Sequence, residues 1–364
     1  MRCVIAGGGT GGHLFPGMAI AEAFVEREMG NEVLFVGTGR GVEVTVLAGG
    51  KFPLKTISAR PLKGISLPGK VKAILSVPRA ISEALSILKD FQPQIVLGVG
   101  GYSSGPTLLA AFLLRMKRAI HEQNVVPGMT NRLLRWFCQR IFVSFEETRE
   151  YFPKGKTVVT GTPVRSEIIE RREGEKGDRF TIFIFGGSRG AHRINEKMME
   201  ALNLLKKIKD SVRFLHQTGS GDVDFVSKGY QENGFEASVR PFFEEMATYY
   251  QLSDLVICRA GASTIAELAV CGKAAIFIPY PYAARNHQLI NAQRLVEMGA
   301  ARMIRQEELQ GPILAQTILS LYDAPEERAK MEKAIQQLAR PRAAEEIVDH
   351  CYALVGESLI SPPP

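Results

Sequence analysis

Cysteine is scarce in this chain. Its five residues (Cys3, Cys138, Cys258, Cys271, Cys351) are odd in number, widely scattered and form no CxxC pair. That excludes a disulfide framework and a structural zinc site, and points to a reducing compartment. Long apolar runs are missing too. The longest, Leu108 to Leu114, falls far short of the ~20 residues that cross a bilayer. No leader-like segment precedes the first strand, so the expectation is a cytoplasmic protein, free to touch a membrane from that side. No aromatic-basic RNA motif appears, which argues against a nucleic-acid binding module. Acidic residues are lacking where a dinucleotide fold needs one, because the second strand ends in Phe35-Val36-Gly37-Thr38-Gly39.

Glycine is abundant, 35 residues in 364, and it is concentrated in loops that follow apolar strands. Gly7-Gly8-Gly9-Thr10-Gly11-Gly12-His13 follows Met1–Ile5, and Gly186-Gly187-Ser188-Arg189-Gly190-Ala191 follows Phe180–Phe185. A strand that turns through glycines into a helix aims unpaired N–H groups and the positive end of the helix dipole at one spot, which suits phosphate. A third such loop, Gly98–Pro106, exceeds the needs of one mononucleotide and hints at a second phosphorylated substrate.

Strand-like runs alternate with helical periodicity along the whole chain. The strand candidates are 3–6, 32–36, 95–99, 118–121 and 140–143, then 181–185, 212–217, 255–258, 274–278 and 301–304. Helical stretches include 17–29, 130–137 and 264–269. This alternation predicts α/β architecture with two Rossmann-like, doubly wound domains facing a cleft. The expected boundaries give a first domain over 1–163, a second over 164–340, and a C-terminal helix within 341–364. The segments 325–338 and 342–354 are expected to return and brace the first domain. Charge divides unevenly: residues 1–163 hold 20 Lys and Arg against 11 Asp and Glu, whereas the rest holds 25 against 27. A basic first half implies an anionic partner.

Other polar groups sit where strands end. His121-Glu122-Gln123-Asn124 is a polar cluster at a carboxyl edge, costly to bury without purpose. Arg259–Glu267 runs strand, small-residue turn, helix, with Glu267 read in the first helical turn as a partner for a ribose diol. Pro279–Ala292 places amide and imidazole groups before a helix, suited to sugar hydroxyls. Asp222-Val223-Asp224 imitates a metal-nucleotide motif but is read as a solvated loop.

Together these segments closely resemble the MurG family, the peptidoglycan UDP-GlcNAc:lipid I N-acetylglucosaminyltransferases of GT-B fold. The resemblance rests on residues 8–21, 100–106, 121–124, 161–165, 186–191, 259–267 and 286–292, in that order. It implies inverting GlcNAc transfer from UDP-GlcNAc to the 4-hydroxyl of MurNAc in undecaprenyl-pyrophosphoryl-MurNAc-pentapeptide, without cofactor or essential metal. It implies donor contacts from Ser188, Phe243, Ala262, Ser263, Thr264, Glu267 and Gln288, completed by Thr10, Gly11, Gly12, Asn124 and Arg165. His13 and the loop Gly100, Gly101, Tyr102, Ser103, Ser104 and Gly105 would face the acceptor. Inverting transfer needs a base, and His13 and Glu122 are the candidates. The lipid acceptor implies a peripheral protein on the cytoplasmic face of an anionic membrane. Apolar and basic residues interleave over 60–89 and in Phe112–Arg118, the interfacial pattern. Cell-wall and division proteins are implied as partners, and no nucleic acid. The alternatives are another UDP-sugar transferase with a lipid acceptor, of the diacylglycerol glucosyltransferase type, and a UDP-GlcNAc epimerase.

Overall fold

In a computed structural model of the chain, the described residues are 1–40, 43, 47, 50–60, 75–170, 177–187 and 190–356. They fall into two compact units, Met1–Arg165 together with the chain from Arg340 on, and Ser166–Ala339.

The first unit is built on a parallel sheet of β1 (Arg2–Gly7), β2 (Glu32–Gly37), β3 (Leu54–Thr56), β4 (Ile95–Gly100), β5 (Lys117–Glu122), β6 (Arg140–Val143) and β7 (Thr157–Val159). Their order is β3-β2-β1-β4-β5-β6-β7. Helices α1 (Gly11–Arg27), α2 (Val77–Phe91), α3 (Ser104–Leu113) and α4 (Met129–Leu134) connect them. Successive side chains of a strand face opposite ways, so the central strands must be apolar on both faces. Ile5, Phe35 and Leu97 accordingly enter one core with Leu14, Ile20 and Phe24 of α1. Val4, Val36 and Val96 enter the other, with Ala80, Ala84 and Leu88 of α2.

The second unit carries β8 (Phe180–Phe185), β9 (Val212–Gln217), β10 (Glu236–Arg240), β11 (Leu255–Cys258), β12 (Ala275–Phe277) and β13 (Arg302–Met303), all parallel, in the order β10-β9-β8-β11-β12-β13. Its helices are α5 (Ser166–Ile169), α6 (His192–Leu205), α7 (Val223–Asn233), α8 (Met246–Leu252), α9 (Ala262–Cys271), α10 (His287–Glu297), α11 (Gly311–Tyr322) and α12 (Pro325–Gln336). The two doubly wound parallel sheets are the α/β class expected from the alternation.

The last described helix, α13 (Ala343–Val355), belongs to the first unit and lies along α1. The Phe24 and Tyr352 rings stack with centroids 6.3 Å apart, Arg27 pairs with Asp349 at 2.8 Å, and Asn31 donates to the Tyr352 hydroxyl at 2.7 Å. By contrast α12 stays with the second unit, so only one of the two segments expected to return does so. Helix α1 begins six residues earlier than its periodicity suggested. Pro16 sits inside it, at a position where the missing N–H costs one bond to the Gly12 carbonyl without stopping the helix.

Candidate functional site

Both sheets reverse their winding once, between β1 and β4 in the first unit and between β8 and β11 in the second. At such a switch point the connections leave in opposite directions and open a crevice at the carboxyl ends of the strands. Every glycine loop singled out in the sequence lies at one of these two points.

In the first unit the loops after β1 and β4 touch through their backbones. A Cβ on Gly101, whose φ is +86°, would come within 2.5 Å of the Gly8 carbonyl oxygen. Only glycine allows that approach. Ser104 fixes the pair: its hydroxyl lies 2.6 Å from the Ala6 carbonyl and 2.7 Å from that of Gly100, and it accepts the Gly100 N–H at 3.1 Å. Ser103 and Ser104 are fully buried; the Ser104 hydroxyl is taken up by the scaffold and does not face an acceptor as the resemblance implied, whereas the Ser103 hydroxyl has no hydrogen-bond partner among the described residues. Tyr102 remains 45% exposed beside Gly100, Gly101 and Gly105.

His13 stands in the first turn of α1, beside Thr10, Gly11 and Gly12. Its Nδ1 lies 3.2 Å from the Thr10 hydroxyl. The ring passes so close to Gly100 that a Cβ there would sit 2.8 Å from Nε2. Arg165 lies over the Phe15 ring, 4.5 Å from its centroid, on the next turn of the same helix.

The His121–Asn124 cluster is mostly scaffold. His121 Nε2–H donates to the Gly161 carbonyl at 2.9 Å, and burial pushes the imidazole pKa down to about 4, with nearby His13 acting in the same direction. His121 is therefore a neutral strap. Gln123 donates to the Val99 carbonyl at 2.8 Å, tying β5 to β4. Glu122 is 2% exposed, and its two oxygens accept four bonds: Asn124 N–H and Asn124 Nδ2 at 3.1 Å, and Gly128 N–H and Asn131 Nδ2 at 2.9 Å. A carboxylate so saturated clamps the loop over 123–128, and this corrects its reading as a base. The Glu122→Gln variant must turn an amide N–H2 toward two of those donors. The expected cost is about 1–3 kcal/mol of unfolding free energy by denaturant titration. Unaltered stability with lost turnover would restore the base.

Sequence reasoning missed Glu43. It is 1% exposed, and it accepts the N–H groups of Thr38 at 2.6 Å and Gly39 at 2.9 Å, directly beneath Gly8. An acid does serve the end of β2, six residues past the strand and turned toward backbone.

In the second unit Gly190, with φ +73°, would place a Cβ 1.9 Å from the Thr218 carbonyl oxygen, so the loop after β8 is seated against the loop after β9. Gln217, which the sequence did not flag, joins three segments: its Nε2 donates to the Gly187 carbonyl at 3.1 Å and its Oε1 accepts the Phe243 N–H at 2.9 Å. Ser188 and Arg189 lie outside the described residues. Phe243 is 1% exposed, with its ring 4.0 Å from that of Tyr249 and 5.8 Å from that of Phe183. Its ring belongs to the core. Asp222 is no solvated loop residue. It lies 2.9 Å from His192 Nδ1 and accepts from Asn195 at 2.7 Å. Asn195 in turn meets Nε2 of buried His216, whose pKa burial lowers to about 3.

Across the switch point, Gly261 opens α9, whose first residues are Ala262, Ser263 and Thr264. Glu267 is the sixth residue of that helix, in its second turn and not its first. It is 7% exposed and accepts from the Tyr250 hydroxyl at 2.8 Å. Arg259 donates to the Ile278 and Pro279 carbonyls at 3.0 and 3.2 Å, bracing the segment that carries Tyr280. Burial lowers its pKa to about 10, which leaves it cationic. Gln288 accepts the Tyr280 N–H at 2.9 Å, and its amide N–H2 has no partner among the described residues. Among the described residues no group of three or more His, Cys, Asp or Glu is placed to hold a metal ion.

Two parallel doubly wound sheets, each with glycine loops at its switch point, one beside the buried carboxylate of Glu267 and one beneath the imidazole of His13, are the architecture of the sugar-nucleotide transferase class. Residues 3–143 match the glycosyltransferase family 28 N-terminal domain and residues 181–347 the family's C-terminal domain. The chain belongs to glycosyltransferase family 28. Within it, the chain is 48% identical over 358 residues to the UDP-N-acetylglucosamine--N-acetylmuramyl-(pentapeptide) pyrophosphoryl-undecaprenol N-acetylglucosamine transferase of Geobacter sulfurreducens, covering 97% of this chain and 98% of that one. It is similar to the crystal structure of Acinetobacter baumannii MurG, with TM-score 0.77, 31% identity, and 97% and 99% of the two chains covered. The UDP-GlcNAc 2-epimerase of Neisseria meningitidis, at 16% identity, TM-score 0.66 and 96% and 98% coverage, shares the fold alone.

Proposed function

We propose that this chain transfers GlcNAc from UDP-GlcNAc to the 4-hydroxyl of the N-acetylmuramyl sugar of undecaprenyl-pyrophosphoryl-N-acetylmuramyl-pentapeptide, with inversion. The observation that carries this reading is near-complete mutual coverage at 48% identity with a relative of that named activity. In a single displacement the acceptor oxygen attacks the anomeric carbon as the bond to UDP breaks, and the hydroxyl proton passes to a base. His13 is the base in this reading. Departing UDP gains charge, and N–H groups at the start of α6 and α9 supply fixed dipoles for it. Glu267 takes the ribose hydroxyls and Gln288 a sugar hydroxyl. Thr10, Gly11, Gly12, Asn124 and Arg165 share the β1/β4/β5 end with His13, and the acceptor's pyrophosphate goes to the loop Gly100–Gly105. Incubation with UDP-GlcNAc and a short-chain acceptor analogue is expected to release UDP and yield a disaccharide. UDP-GlcNAc consumption without acceptor, giving an epimer, would overturn the transferase in favour of the epimerase.

The acceptor's polyprenyl chain stays in the bilayer, so the first unit docks on an anionic cytoplasmic membrane surface in this reading. No described helix is long and apolar enough to cross a membrane. Part of the expected surface, residues 61–74, lies outside the described residues. Phe112 and Leu113 at the end of α3 are 43% and 61% exposed, near Leu133 and Trp136, each 65% exposed. The Phe112 and Phe137 rings meet edge-on at 5.1 Å, joining the two segments. Arg115, Lys117, Arg132 and Arg135 lie in the same stretches. Arg118, counted with them from the sequence, is instead 7% exposed and donates to the Phe137 and Met116 carbonyls. Liposome flotation is expected to carry the protein with anionic vesicles at low salt, and a Leu113→Ser, Trp136→Ser variant to stay behind. Equal recovery of both proteins would sink the docking surface.

A further inference from the structure

The cavity between the carboxyl ends of β2 and β3 has no part in the reading above. Its volume is about 310 Å³ and it is lined chiefly by Thr38, Arg40, Thr56, Ser58, Arg60 and Glu83. Gly37 and Thr56 are register partners, and the Ile57 N–H continues the ladder to the Gly37 carbonyl at 3.0 Å. The mouth therefore opens at the same sheet edge as the loop after β1. Both acids near it are already matched. Glu83 accepts from the Ser58 hydroxyl and from Arg79, each at 2.9 Å, and Glu43 is held by the Thr38 and Gly39 N–H groups. Arg40 and Arg60 are exposed and have no hydrogen-bond or ion-pair partner among the described residues. Two guanidinium groups over a polar cavity, with no partner among the described residues, make a receptor for a carboxylate or phosphate.

We infer that this cavity receives a carboxylate of the acceptor's peptide. The inference rests on the transferase reading. In that reading the pyrophosphate already has its place at the β1/β4 switch point, and the peptide, which ends in a carboxylate, is the remaining anionic part of the acceptor. The spans agree. Strands lie ~4.8 Å apart, so the β2/β3 cavity is roughly 12 Å from β4 across the sheet. Five extended residues reach at most about 17 Å. Phosphate of the acceptor or of lipid is the competing source of the same charge, and the chemistry of the acceptor separates them.

Three acceptor analogues serve: one with the peptide's carboxylates free, one with them amidated, and one with no peptide. Arg40→Gln, Arg60→Gln and the double variant are compared with the corresponding lysine variants. Each arginine is at the surface, so folding is not at stake, and KM for UDP-GlcNAc reports an intact donor site. The double glutamine variant is expected to raise KM for the free-carboxylate acceptor roughly tenfold, the scale of two partly solvated charge-assisted bonds. The other two acceptors should change by less than about twofold, and lysine should recover part of the loss. An equal rise for all three acceptors assigns the arginines to phosphate or lipid and overturns the inference. So does a protein that does not distinguish free from amidated peptide. No transfer to any of the three by the unsubstituted protein sinks the transferase reading, and this inference with it.

Discussion

Replacing His13 by alanine is expected to lower turnover roughly a hundredfold or more, the usual contribution of a positioned general base, while leaving UDP-GlcNAc affinity close to normal. A neutral imidazole is a base at one nitrogen only, and the bond made by the other selects which. In the tautomer that serves as base toward Gly100, Nδ1–H donates to the Thr10 hydroxyl, 3.2 Å away, and the lone pair falls on Nε2, the atom that lies over Gly100. Thr10→Val is then expected to cost several-fold in kcat through the tautomer alone, within the ~1 kcal/mol of an ordinary hydrogen bond. Gly100→Ala tests the same arrangement from the other side, because its new methyl group would occupy the space of the ring at a backbone φ of +97°. Near-normal turnover of His13→Ala in a pre-steady-state assay would remove the imidazole from the chemistry. With Glu122 locked in its loop, a base would then have to come from the acceptor's own phosphate or from solvent.

The parts of this molecule legible in the sequence are those where one physical requirement dominates. Central parallel strands must be apolar on both faces, so Val4–Ala6, Ile95–Val99 and Thr181–Phe185 announce themselves. The edge strands β3, β7 and β10 do not. Leu54–Thr56 and Glu236–Arg240 are partly solvated, and their polar composition carries no strand signal. Glycine loops were legible because tight strand-to-helix turns in backbone contact need positive φ and no Cβ. What those loops lean on was not legible. Gln217 and Glu43 are ordinary polar letters until the fold brings Gly187, Phe243, Thr38 and Gly39 around them. Ser104 was read as facing the acceptor, Glu122 as a candidate base and His121 as part of a purposeful polar cluster, yet all three point inward. The same burial cost that makes such residues conspicuous is met by backbone donors and acceptors of the loops themselves. Phe243 shows the converse: an aromatic residue beside a nucleotide site invites a stacking role, and its ring is instead core.

Glu267→Ala is expected to weaken UDP affinity at least roughly a hundredfold, because a carboxylate holding both ribose hydroxyls makes two charge-assisted bonds of about 1.5–3 kcal/mol each. Its effect should be smaller by the same factor on a 2′,3′-dideoxy nucleotide, which has no diol to lose. Tyr250 refines the test. Its hydroxyl is fully buried, burial drives its pKa well above the usual phenol value, and it therefore stays a donor to Glu267 at 2.8 Å. Tyr250→Phe leaves the ring among Phe183 and Phe185 and removes only that bond. If Tyr250 merely fills the core, the variant loses a little stability and binds UDP and dideoxy-UDP in the normal ratio. If it aims the carboxylate, the variant loses roughly tenfold for UDP and little for the dideoxy analogue, the equivalent of ~1.4 kcal/mol confined to the ribose. Titration calorimetry with the two nucleotides separates these outcomes. The second is expected, because a helical glutamate in its second turn gains little orientation from the helix terminus, and the Tyr250 hydroxyl then fixes its rotamer.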